Sequence, residues 1–218
     1  MDKKYWLSIF KKAKRIEKFS SIVKMCEGKN VLDVGCIGQD HSLDGDNWLH
    51  GRIKKVSASL VGADINVARF DEIRSNGFEI YTPEDLDKSK KYDLIVMGDV
   101  IEHVNDPGVF LSFYAQFLKE DGQMVICTPN SFGARYFLQT MVYGIPGTNE
   151  EHTLSFDPYV MLELFSRIGL EPKEFFWLQE YRGGANLLQK LIFLKATVFV
   201  FFRRYLNDNQ PWLVNHQC

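Results

Sequence analysis

A chain of 218 residues, 45% hydrophobic and 25% charged, is long enough to bury one sizeable α/β core. Its formal net charge of -2 argues against generic nucleic-acid binding, although Lys and Arg crowd the first helix-forming stretch. Cys26, Cys36, Cys127 and Cys218 have no paired metal-ligand spacing, and the basic N-terminus has no continuous apolar block of the secretory kind. Reduced thiols in a cytoplasmic protein are therefore expected.

Residues 3 to 27 place Tyr5, Ile9, Ala13, Ile16, Phe19 and Val23 at helical spacing between lysines. That periodicity predicts one amphipathic helix packed on the domain, its basic face in solvent. Next comes Val31-Leu32-Asp33-Val34-Gly35-Cys36-Ile37-Gly38, an apolar strand that stops at an acid and enters a glycine turn. Glycine lets the backbone pass close to a ligand, and ligands of open α/β sheets sit beyond the carboxyl ends of the strands. An acid at this place accepts hydrogen bonds, whereas a phosphate site prefers backbone donors and Lys.

This stretch resembles the first motif of class I S-adenosylmethionine-dependent methyltransferases, an acid, one residue, then glycines at alternate positions. The resemblance implies an acid near the amino-acid end of the cofactor, with Gly35, Cys36 and Gly38 lining its approach. Ile37 and Gln39 stand where further glycines are usual. It also implies that residues 1–27 act as a lid and residues 28–182 as the methyltransferase core. The implied fold is α/β, a Rossmann-like, mostly parallel seven-stranded sheet with helices on both faces.

Trp48 to Lys55 can start a short helix, and Ser59 to Asp64 reads as the second strand, apolar until its last residue. A carboxylate there is placed to accept hydrogen bonds from a ribose diol. Asn66 is the expected N-cap of a helix with Val67, Phe70 and Ile73 on one face and Gly77 as its stop. Phe78 to Tyr81 is the third strand. The resemblance assigns Ile65 to the cofactor site and matches Glu84, Asp85 and Leu86 to a turn that touches adenine.

Asp93 to Met97 is the fourth strand and leads into Gly98-Asp99-Val100-Ile101-Glu102-His103-Val104. Gly98 is assigned to the cofactor site by the same resemblance. Asp106 and Pro107 read as N-cap and first residue of a helix burying Phe110, Phe113, Tyr114, Phe117 and Leu118. Gln123 to Thr128 is the fifth strand. The turn formers Gly144, Pro146 and Gly147 mark residues 129–152 as a substrate-side excursion ending at Glu151-His152. Asp157-Pro158 begins a helix with Met161, Leu162, Phe165 and Ile168 inward and Gly169 as its stop. Glu171 to Leu178 is the sixth strand. Alternation at this rhythm predicts a parallel sheet.

Within the C-terminal segment 183–218, Leu187 to Phe202 is almost continuously apolar, broken by Gln189, Lys190, Lys195 and Thr197, and its two lysines argue against a spanning helix. The favoured reading is a final helix and strand, with Ala196 to Phe202 as the strand. Peripheral membrane contact, at the inner membrane, or a homodimer through residues 187–204 is the alternative.

The chemistry centres on Asp99, Glu102, His103 and His152. Asp99 and His103 are four apart with Glu102 between them, so their side chains converge if the turn becomes helical. Oxygen and nitrogen donors in this mixture suit Mg, Mn or Zn. An ion would acidify a substrate hydroxyl, and a neutral His103 can take the proton without one. The element resembles the acid-x-x-Glu-His pattern of O-methyltransferases acting on ubiquinone precursors and on the terminal ribose of small RNAs, with Asp99 where those carry Glu. It implies catalytic roles for His103 and Glu102 and a metal set of Asp99, Glu102, His103 and His152. Trp48-Leu49-His50-Gly51 and Thr128-Pro129-Asn130 also resemble bacterial enzymes of surface-glycan pathways, which makes a small-molecule or sugar hydroxyl the expected acceptor. Two other readings compete: a nicotinamide-dependent oxidoreductase or epimerase, weakened by the missing third glycine, and a non-catalytic cofactor-binding module.

Overall fold

The computed structural model describes residues 2–38, 48–145, 147–179 and 209–216. Helix α1 (Lys3–Lys12) is capped by Asp2, whose carboxylate accepts from the amides of Lys4 and Tyr5. The single N-terminal helix expected from periodicity is instead two helices. Strand β1 (Arg15–Glu17) interrupts it, and α2 (Lys18–Met25) follows with Glu17 as N-cap. The reason is tertiary: β1 pairs in parallel with a strand more than 150 residues away, so a ladder replaces a helical turn.

Strand β2 (Asn30–Val34) precedes α3 (Leu49–Lys54), β3 (Ser59–Ala63), α4 (Phe70–Ser75) and β4 (Glu79–Tyr81). A short 3-10 turn at Val67–Arg69 precedes α4, and Val67 is exposed rather than on the buried face. Asn66 makes no side-chain capping bond, while Gly77 stops the helix at φ +79°. Strand β5 (Tyr92–Gly98) enters a 3-10 turn at Ile101–His103. Helix α5 (Pro107–Ala115) is capped by Asp106, which accepts from the amide of Val109 at 2.9 Å. Phe117 and Leu118 are buried but lie beyond it, Leu118 opening β6 (Leu118–Pro129).

The excursion after β6 contains a helix, α6 (Ala134–Tyr143), closed by Gly144 in the left-handed region. Helix α7 (Pro158–Ile168) begins at the Asp157 cap and ends at Gly169. The sixth strand is divided in two, β7 (Leu170–Phe175) and β8 (Trp177–Gln179), and the chain returns as β9 (Asn209–His216). The antiparallel strand is therefore 209–216; Ala196 to Phe202 and the 187–204 contact surface lie outside the described residues.

Seven strands make the body of one sheet, in the order β4-β3-β2-β5-β6-β9-β7, and all neighbours are parallel except those of β9. The short strands β8 and β1 extend the sheet beside β9. Strand residues alternate between two cores. Leu32, Val34, Ile95, Met97 and Met124 meet Phe10 of α1, Tyr114 of α5 and Phe165 of α7 on one face. Val31, Leu94, Val96 and Val125 meet Ile22 of α2 and Ile53 of α3 on the other. Each such aliphatic side chain contributes about 1.5–3 kcal/mol when fully buried. Among the described residues, no helix is long and apolar enough to cross a membrane.

Candidate active site

Sheet register decides what meets at the carboxyl edge. Val34 pairs with Ala63 on one side and Met97 on the other. The next residues of those strands, Gly35, Asp64 and Gly98, therefore stand at one level. Gly35 (φ +69°) and Gly38 (φ +69°) take the left-handed backbone that the turn requires. A Cβ at Gly35 would lie 2.3 Å from Cγ2 of Val100, so the turn after β2 packs directly on the turn after β5.

Asp64 ties the strand ends together. Its Oδ2 accepts from the amide of Ile37 at 2.9 Å and its Oδ1 from the amide of Asn66 at 2.9 Å. A carboxylate oxygen has two lone pairs, so acceptor capacity remains for a diol. Ile65 beside it is 83% exposed. The period of two turns Asp33 to the same face as Val31, where α3 packs, and its Oδ2 lies 2.8 Å from Nδ1 of buried His50. Trp48 Nε1 donates to the carbonyl of Cys36 at 2.7 Å. Burial pushes the Cys36 thiol well above the usual range, which keeps it protonated and unreactive. In the turn after β4, Thr82 Oγ1 donates to Asp85 at 2.9 Å, and Leu86 is buried in the main core.

The second half of the site belongs to β5 and β6. Asp99 is the one non-glycine residue with positive φ among the described residues, at +58°, a conformation that costs on the order of 1 kcal/mol and concentrates at functional sites. Its Oδ2 is paired with the ammonium of Lys18, a buried residue at the start of α2. Glu102 is buried, and its Oε2 accepts from Thr128 Oγ1 at 3.0 Å. Burial first, and the negative charge of Asp99 second, push its carboxyl up to about 8. Asp99 Oδ1 and Glu102 Oε1 are buried without hydrogen-bond partners.

The excursion returns to this turn through backbone bonds. The amides of Thr153 and Leu154 donate to the carbonyl of Glu102 at 2.9 and 3.2 Å. That stitching lays His152 on His103, ring centroids 4.7 Å apart and planes at 89°. Burial, then His103, hold the His152 imidazole below its ordinary value. One ligand atom from each of Glu102, His103 and His152 falls within 4.8 Å of the other two. Asp99, expected as a fourth metal donor, stands outside that group, and its Oδ2 is paired with Lys18.

Three residues with roles here were missed by sequence reasoning. Lys18 read as part of a solvated basic face, His50 appeared only in a family-like string, and Thr128 in another such string and as the last residue of a strand. Their partners lie 81, 17 and 26 residues away, beyond any local pattern.

A family model described as a methyltransferase domain matches residues 11–174. The ubiquinone biosynthesis O-methyltransferase of Pelagibacter ubique (strain HTCC1062) is 30% identical over 144 residues, covering 58% of this chain and 57% of that protein. The chain thus spans little more than half the length of this curated relative. Among solved structures, an S-adenosylmethionine-dependent methyltransferase from Archaeoglobus fulgidus superposes with TM-score 0.55 at 16% identity, covering 97% of this chain and 90% of that one. The 1,6-didemethyltoxoflavin-N1-methyltransferase of Burkholderia thailandensis, solved with bound 1,6-didemethyltoxoflavin and S-adenosylhomocysteine, gives TM-score 0.54 at 12% identity, covering 92% of this chain and 77% of that one. These structural likenesses establish the fold. No oxidoreductase stands among these similarities.

Proposed function

Because the chain belongs to the methyltransferase domain family across residues 11–174, we propose that it transfers a methyl group from S-adenosyl-L-methionine to a hydroxyl of a small molecule, a sugar foremost. The observation that carries this reading is the common level of Gly35, Asp64 and Gly98 at the carboxyl edge of the sheet. Asp64 would accept the ribose diol, exposed Ile65 would lie against the adenine, and the Asp33–Gly38 turn would receive the amino-acid end. The related protein from Pelagibacter is an O-methyltransferase by name, which supports oxygen as the acceptor atom. The Burkholderia protein of similar fold holds S-adenosylhomocysteine, the demethylated form of that donor.

In the reaction the acceptor oxygen attacks the sulfonium methyl in line. A C–O bond forms, the S–C bond breaks, and the donor leaves as a neutral thioether. His103 takes the hydroxyl proton, with His152 against its ring. Glu102, largely protonated at neutral pH because its value is about 8, offers its unpartnered Oε1 to a second polar group of the acceptor. Most of the acceleration would come from alignment of the two reactants.

Glu102, His103 and His152 also fit a divalent ion. One carboxylate and two imidazoles suit Mn or Zn better than Mg, and the unpartnered Oε1 is a vacant donor among them. Such an ion, once bound, would lower the pKa of the acceptor hydroxyl. Addition of Mn to the wild type should raise Tm, and His152→Ala should abolish the rise; equal curves for both would dismiss the ion.

The test of function is calorimetric titration with S-adenosylhomocysteine, followed by transfer of labelled methyl to a panel of sugars and phenols. Binding in the micromolar range and labelling of a hydroxyl support the reading. Failure to bind would end it.

A further inference from the structure

Two side chains of a single short segment hold the glycine turn from behind. Trp48 Nε1 donates to the carbonyl of Cys36 at 2.7 Å, and His50 Nδ1 lies 2.8 Å from Asp33 Oδ2. Asp33 and Cys36 are the ends of the turn that begins the cofactor crevice. His50 is 1% exposed, Asp33 3% and Trp48 2%, so none of these bonds exchanges readily with water. The imidazole packs beside the rings of Trp48 and Phe78, both with centroids 5.3 Å away, and those two rings touch each other at 4.8 Å. Its other nitrogen, Nε2, is buried without a hydrogen-bond partner. The polar work of this ring is therefore directed at Asp33.

Space around the ring is as restricted as its bonding. A Cβ on Gly62 of β3 would come within 2.7 Å of Cys36 Sγ and 3.1 Å of His50 Cε1. Glycine at 62 lets α3, β3 and the turn after β2 close on one another. A histidine used only as core filler would gain nothing from leaving Nε2 unpaired, since an apolar side chain of similar volume would fit at less cost.

We infer that His50 is a positioning residue for the methyl donor: by donating to Asp33 Oδ2 it fixes the carboxylate plane so that Oδ1 meets the ammonium of the donor's amino-acid tail. This rests on the methyltransferase reading. Trp48 complements it by fixing the far end of the same turn. The contribution is specific to one part of the ligand, because the nucleoside is assigned to Asp64 on the neighbouring strand.

Ligands that differ only in that tail test the inference. S-adenosylhomocysteine carries the amino acid, and 5′-methylthioadenosine keeps the nucleoside without it. His50→Phe retains the tilted ring contacts with Trp48 and Phe78 and removes the donor. It should weaken S-adenosylhomocysteine about tenfold, equivalent to about 1.4 kcal/mol, and change methylthioadenosine less than about twofold. His50→Asn, whose amide nitrogen can occupy the place of Nδ1, should recover most of the loss. Equal weakening of both ligands in His50→Phe would reduce His50 to a structural prop and overturn the inference, as would no change in either. A wild type that binds neither ligand would instead remove the methyl-donor reading itself.

Discussion

The two halves of the crevice are built on opposite principles. On the side of β2 and β3, the carboxylates are satisfied: Asp64 accepts two backbone amides and Asp33 is held by His50. On the side of β5 and β6, Asp99 and Glu102 each keep a buried oxygen without a partner, and Asp99 sits at φ +58°. Unpaired buried acceptors are costly, on the order of 1–3 kcal/mol each, and under the proposed function a ligand completes those of Asp99 and Glu102. In the first half the acids are held before anything binds, the unpaired buried atom there being Nε2 of His50, and under the proposed function this half takes the cofactor. The second, in the proposed function, is the acceptor side.

The largest effect that would break this contrast concerns His103. His103→Ala should lower turnover by about 100-fold or more while donor affinity, measured by calorimetry, changes less than about twofold. Unchanged turnover would strip the β5 side of its chemical role. Next, Asp64→Ala should weaken S-adenosylhomocysteine by about 30-fold through loss of a charged hydrogen bond, with turnover at saturating donor little altered. An equal loss in kcat would show that the halves are not separable.

Stability sharpens the comparison further. Lys18→Met leaves Asp99 beside Glu102 without its cation; because Asp99 is partly exposed, the cost is about 2 kcal/mol rather than that of a fully buried pair. Thermal melts should record the loss, and Lys18→Met combined with Asp99→Asn should recover most of it. A melt unmoved by Lys18→Met would make the pair incidental.

The comparison also has a pH dependence. Glu102 is raised from 4.5 to about 8 in the folded protein, so between those values the native state binds more protons than the unfolded chain. Stability therefore falls as pH rises through that window, the reverse of the usual carboxylate. Glu102→Gln should flatten the decline in urea midpoints. A wild-type curve that rises across the window would contradict the buried, neutral carboxyl.

Legibility divides along the same line. The glycine turn and Asp64 could be read from the chain because their meaning is local: an acid, a glycine and a strand end within a few residues, repeated in βαβ order. The capping acids Asp106 and Asp157 were equally plain. The split of the first helix was not, since the amide of Trp177 donates to the carbonyl of Lys14 at 2.9 Å and pairing across the sheet overrides helical spacing. Helix α6 escaped because Phe137, Met141, Val142 and Tyr143 are exposed, leaving no buried stripe for periodicity to find. Lys18 looked like its solvated neighbours. Only the fold brings it beneath Asp99.

The most direct test of the central claim is a crystal structure with S-adenosylhomocysteine. The account predicts ribose hydroxyls about 3 Å from Asp64, the adenine over Ile65, and the amino-acid tail at the Asp33–Gly38 turn. A nucleoside bound elsewhere, with Asp64 touching only the amides of Ile37 and Asn66, would contradict it.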